Sequence, residues 1–142
     1  MPVNARRRAL IAVQPAAWPT MEAILGEQWD LVPVHSIVDA MQVLKREPGK
    51  IDLIVSSLTF SESRALEFLV EVKADPALAA IPFLCCRVRV GILSEQLVES
   101  LGRAARLCGA TDFVNIGQMA PDEARQALRA AALRCLAPAG DN

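Results

Sequence analysis

Tyrosine is absent from this 142-residue sequence, aromatic residues make up only 4% of it, and His35 is its one histidine. So few rings leave the interior to aliphatic side chains, and the 53% hydrophobic content supplies them. The four cysteines, Cys85, Cys86, Cys108 and Cys135, lack zinc-like spacing, so no metal site is expected. They read as buried small hydrophobic residues, with redox chemistry as the other option. No apolar run nears the roughly 20 residues of a membrane span. The stretch from Met1 to Asn4 and the arginines after it lack a long apolar core and a cleavage site. No signal peptide is therefore expected, and the chain reads as cytoplasmic. A net charge of −1 argues against a nucleic-acid binder. The one basic cluster, Arg6-Arg7-Arg8, is assigned to a solvated arm, with a phosphate or membrane contact as the alternative.

What is present alternates between strand-like and helix-like patterns. The apolar run Ile51 to Val55, framed by Lys50 and the pair Ser56-Ser57, reads as a central strand covered on both faces. In a parallel sheet, chemistry sits at the carboxyl ends of the strands, here at Ser56 and Ser57. Before it, Ala9 to Val13 predicts a first strand. Pro19 suits a first helical turn, with Met21, Ile24 and Leu25 inward and the helix ending near Gly26. Trp29 to Val34 predicts a strand whose Pro33 confines it to a sheet edge. Ser36 and Asp39 resemble a capping box ahead of Ile37, Ala40, Met41 and Leu44.

After the central strand, Ala65, Phe68, Leu69 and Val72 mark a third helix stopped by Asp75-Pro76. Pro82 to Cys86 reads as a fourth strand. Ser94 caps a fourth helix with Leu97, Leu101, Ala104, Ala105 and Cys108 inward and Gly109 at its end. Asp112 to Val114 is a brief fifth strand, and the last helix opens at Pro121. The expected layout is a basic arm over residues 1-7, one domain over 8-137 and a loose tail over 138-142. Five such alternations with short links predict a three-layer α/β/α sandwich with a five-stranded parallel sheet.

This order of residues resembles a bacterial response-regulator receiver domain, a flavodoxin-like fold with strand order 2-1-3-4-5. Three segments carry the resemblance: Ile51 to Ser57, Lys73 to Pro82, and Gly109 to Val114, the last similar to the family's Gly-Ala-Asp-Asp-Tyr. The resemblance implies a phosphoaccepting Asp at the position of Ser57 and an acidic pair at those of Gln14 and Pro15. It places a switch Ser or Thr at Arg87 and a Lys-Pro pair at Ile116-Gly117. None of these family residues is present. No acid precedes Glu22 and no lysine follows Lys73, so no shift of register restores them.

Phosphotransfer on this fold needs a carboxylate nucleophile, hard oxygen ligands for Mg²⁺ and a lysine against the phosphoryl charge. Ser57 lacks a visible general base. The expectation is a degenerate, stand-alone receiver in two-component signalling, with no catalytic residue, cofactor or Mg²⁺. Ser57 would mark the phosphoacceptor position, and Gln14, Pro15, Ser56, Arg87 and Ile116 the vacated pocket. Arg87 would pin the loop after its strand, bind an anion or face solvent. Activity would lie in a protein-protein contact or homodimer through the face the family builds from its fourth helix, fifth strand and fifth helix. That face is assigned Glu99, Arg103, Arg106, Arg125 and Arg129, with neither nucleic acid nor membrane as partner. The competing expectation is a small-ligand or anion sensor using the vacated pocket.

Overall fold

Five parallel strands form one sheet in the order β2-β1-β3-β4-β5, as expected. They are β1 (Arg8–Ala12), β2 (Asp30–Val34), β3 (Leu53–Ser57), β4 (Phe83–Arg87) and β5 (Asp112–Asn115). The computed structural model describes residues 6–91 and 93–136. The first five residues of the expected arm, residue 137 and the tail 138–142 lie outside the described residues. β3 is buried at all its positions, because helices cover both faces of the sheet. β2 lies at the edge, where Pro33 pairs in register with Ile11 and is exposed. The missing N–H of proline therefore costs no ladder bond.

The helices are α1 (Trp18–Leu25), α2 (Ile37–Arg46), a short turn α3 (Phe60–Ser63), α4 (Ala65–Ala74), α5 (Glu95–Leu107) and α6 (Pro121–Cys135). A 3-10 turn at Pro15–Ala17 precedes α1. Alternate strand residues divide the core. Leu10, Ile54 and Phe83 pack with residues of α2, α4 and α5. Ile11, Val55 and Leu84 pack with residues of α1 and α6. Ser36 caps α2 by accepting from the Asp39 backbone N–H at 3.1 Å, and Ser94 caps α5 by accepting from that of Leu97 at 3.1 Å.

Four features differ from expectation. The α3 turn was not foreseen. Ser61, Glu62 and Ser63 take φ of 53°, 61° and 63°, a left-handed conformation costing about 1–2 kcal/mol per residue. Phe60, fully buried, anchors the turn; its ring centroid lies 5.2 Å from that of Phe68, which is 5.5 Å from Phe83. Secondly, α5 is rotated about its axis. Val98, Gly102 and Ala105 face inward, whereas Leu97 and Cys108 are exposed. The cause is Phe113 of β5: a Cβ on Gly102 would fall 2.5 Å from its ring, so the helix settles on its glycine. Thirdly, only three cysteines are buried, Cys108 being exposed. Finally, Arg6 is bound to the body of the protein. Its guanidinium donates to the carbonyl of Gly26 and, at 2.9 Å, to that of Trp29.

One ionic clip ties α5, β5 and α6 together. Arg106 donates to Asp112 Oδ1 at 2.8 Å, and Arg134 donates to Oδ2 at 2.9 Å. Burial alone raises the Asp112 pKa, but hydrogen bonds from both arginines and from the Phe113 N–H outweigh it and hold the carboxyl below its ordinary value of 3.8. A carboxylate depressed on folding stabilises the fold above its unfolded pKa and loses that contribution as pH falls through the folded value. Asp112→Asn is therefore expected to cost about 1 kcal/mol at pH 7. The difference from the native chain should shrink below about pH 4, as measured by urea unfolding at a series of pH values.

Candidate functional site

The carboxyl ends of β1, β3 and β4 meet beneath the route from β3 into α3 and the stretches 88–91 and 93–94 ahead of α5. A cavity of about 290 Å³ lies between them. Gln14 and Arg87 line it as the sequence suggests, but the other expected residues do not. Ser56 is fully buried, its hydroxyl donating to the Ser57 carbonyl at 3.2 Å. Ser57 is also buried, and its hydroxyl meets that of Thr59 at 3.4 Å. Ile116 sits in the core beside α6, and Pro15, exposed, opens the 3-10 turn. The chain after β3 brings Leu58 and Thr59, rather than the two serines, to the cavity wall.

Arg87 closes β4 and is only 3% exposed. A buried guanidinium needs nearly all its donors satisfied, and here they are. Nη1 and Nη2 form a two-pronged pair with the Glu95 carboxylate, at 2.9 and 2.6 Å. Nε donates to the Arg89 carbonyl at 2.9 Å, and Nη1 also reaches Asn115 Oδ1 at 3.3 Å. Asn115 Oδ1 accepts from the Gly117 N–H at 3.0 Å as well. A Cβ on Gly117 would lie 2.6 Å from Arg87 Cδ, so glycine lets that loop rest on the guanidinium. One side chain thus joins β4, its own loop, the first turn of α5 and the exit of β5. Of the three readings of Arg87, pinning the loop is the one its contacts satisfy. Hydrogen bonding from Arg87 is the main cause holding the Glu95 carboxyl below its ordinary value.

Arg89 also lines the cavity, while other ionisable groups lie elsewhere. Lys73, the last lysine in the chain, donates to the carbonyls of Ala79 and Ile81 at the amino end of β4. Among the described residues, no three His, Cys, Asp or Glu side chains converge as a metal site would need. Burial pushes the Cys85 thiol up to about 12, Cys135 to about 11 and Cys86 higher still. Thiolate chemistry at neutral pH is suppressed at these three. No helix among the described residues is long and apolar enough to cross a membrane.

The five residues assigned to the interaction face do not share one surface. Glu99 and Arg103 lie exposed on α5, 3.9 Å apart, and Arg106 turns to β5. Arg125 and Arg129 instead reach across to α1, donating to the carbonyls of Ala23 at 3.5 Å and Ile24 at 2.8 Å. The cause is local: α1 ends beside α6, and its last carbonyls lack helical partners and attract cations. Arg134 is the α6 residue that belongs to the α5-β5 side. Missed altogether in the sequence were Glu95, Thr59, Arg89 and Asn115. An arginine closing an apolar strand, followed by a glutamate just after a serine helix cap, is the signal that finds the Arg87–Glu95 pair.

No protein-family model and no curated protein matches the sequence. Solved structures do. A phosphorylated cyanobacterial phytochrome response regulator, RcpA, matches at 18% identity and TM-score 0.69, covering 89% of this chain and 91% of its own. The signal receiver domain of a signal transduction histidine kinase from Syntrophus aciditrophicus matches at 22% identity and TM-score 0.68, covering 96% and 94%. An orphan response regulator of H. pylori matches at 17% identity and TM-score 0.62, covering 90% and 99%. With the sheet order, these likenesses establish that the chain has the fold of response-regulator receiver domains.

Proposed function

We propose that the chain is a degenerate receiver that works in bacterial signal transduction as a phosphorylation-independent protein-protein interaction module. The observation that carries this reading is the buried Arg87, paired with the half-exposed Glu95, at the position of the family's switch residue. In the family, resemblance places a small hydroxyl there, free to follow a phosphoryl group. Here the position is filled by a cation already neutralised inside the fold, and the hydroxyl of Ser57 is buried behind Thr59. Among the described residues no carboxylate lines the cavity, so these residues offer Mg²⁺ no anionic oxygen ligand. The partner surface is then constitutive. It comprises the outer row of α5 with Glu99, Arg103 and the 89%-exposed Leu107, together with Arg106, Asp112 and Arg134 at its β5 edge.

Two outcomes follow. Partner capture from the native cell should be unchanged by acetyl phosphate with Mg²⁺, with no phosphoryl adduct on the intact chain by mass spectrometry, and Arg103→Glu should abolish capture without lowering Tm. A stable adduct, or capture that depends on it, would sink the proposal. The pinning role of Arg87 is read from thermal denaturation of three variants. Glu95→Gln strands a buried cation and should lower Tm more than Arg87→Met, which leaves an apolar side chain of similar size. The double variant should be no less stable than Arg87→Met alone; additive losses would show that the two residues act separately.

A further inference from the structure

The cavity at the strand ends is left unused by the interaction reading, and its lining has a definite chemistry. None of the described residues lining it is acidic, which disfavours metal ions and amines. The charge of Arg87 is answered by Glu95, so the unanswered charge belongs to Arg89. Arg89 is exposed, its Nη1 rests on the Ala16 carbonyl at a long 3.4 Å, and among the described residues it forms no ion pair. Ala16 lies on the opposite wall, so Arg89 spans the cavity from the β4 loop to the 3-10 turn. Its backbone is held in place by the bond from Arg87 Nε. Gln14 adds an amide and Thr59 a hydroxyl whose contact with Ser57 is weak at 3.4 Å. Leu58, Val88 and Leu93 supply apolar wall.

One unpaired cation, three neutral polar side chains (Gln14, Thr59 and Ser63) and an aliphatic wall in about 290 Å³ make a pocket at the small end of the usual range of roughly 300–1,000 Å³, which suits a small ligand. We propose that this cavity binds a small organic monoanion, a carboxylate with a compact apolar body. The head group pairs with Arg89 and hydrogen-bonds Gln14 and Thr59, and the body packs on Leu58, Val88 and Leu93. The site selects against inorganic phosphate, which gains nothing from the apolar wall, and against neutral analogues, which leave the cation unanswered. It is independent of partner binding, so its failure leaves the interaction-module proposal standing.

Titration of the full chain followed by amide NMR, with benzoate, benzamide and inorganic phosphate as probes, tests the assignment. Benzoate is expected to bind saturably, shifting the amides of Thr59, Val88 and Arg89. Arg89→Gln should weaken it about tenfold, the worth of one charge-assisted pair, while Arg46→Gln on the remote face of α2 should leave it unchanged. Benzamide and phosphate should bind at least about tenfold more weakly than benzoate. Absence of saturable shifts, equal binding of benzamide or phosphate, or full benzoate affinity in Arg89→Gln would each overturn the proposal.

Discussion

A guanidinium withdrawn from water has to be met by its partners on all sides, and that requirement organises the carboxyl end of this sheet. Arg87 stands at the last position of β4 with its side chain almost wholly enclosed. Burying the charge is tolerable only because Glu95 answers it with both oxygens while Asn115 and the Arg89 carbonyl take the other donors. Glu95 is half exposed, so part of the pair's desolvation cost is relieved at the surface. The start of α5, the β4 loop and the exit of β5 are consequently parts of one arrangement. Moving any one of them strands the charge.

Under the proposed reading, the same arrangement accounts for a receiver fold that works without phosphorylation. A phosphorylation-driven switch needs two arrangements of similar free energy and a ligand that distinguishes them. On that reading, the buried, doubly bonded Arg87 deepens one arrangement. The Ser57 hydroxyl is meanwhile withdrawn into the sheet, and the chain beyond it is turned by a left-handed segment that Phe60 anchors. What the fold leaves outward is the α5 surface, kept in register with β5 and α6 by Asp112 between two arginines.

Much of this was readable in the residues. Pro33 placed its strand at the edge because it cannot donate, and Ser36 and Ser94 marked helix starts because their hydroxyls accept from orphaned N–H groups. The continuous apolar run of β3 announced a strand covered on both faces. Helix rotation was not readable: Leu97 and Cys108 fit an inward stripe as well as Val98 and Gly102 do, and the choice fell to Phe113, a contact between residues on different elements. The α3 turn was hidden because Ser61, Glu62 and Ser63 include no glycine to advertise a positive φ. Arg125 and Arg129 were misplaced because a helix has two flanks, and sequence spacing does not say that one of them meets α1. The cavity wall was missed for a related reason, since Leu58 and Thr59 become lining only once the chain turns.

The central claim is that Arg87 and Glu95 hold the strand ends in a single arrangement. Relaxation-dispersion NMR reports exchange between arrangements on the microsecond-to-millisecond scale of such switches. The account predicts flat profiles for the amides of Arg87, Val88, Glu95 and Asn115 in the native chain, and exchange appearing at the same amides in Glu95→Gln. Exchange already present at these positions in the native chain would contradict it.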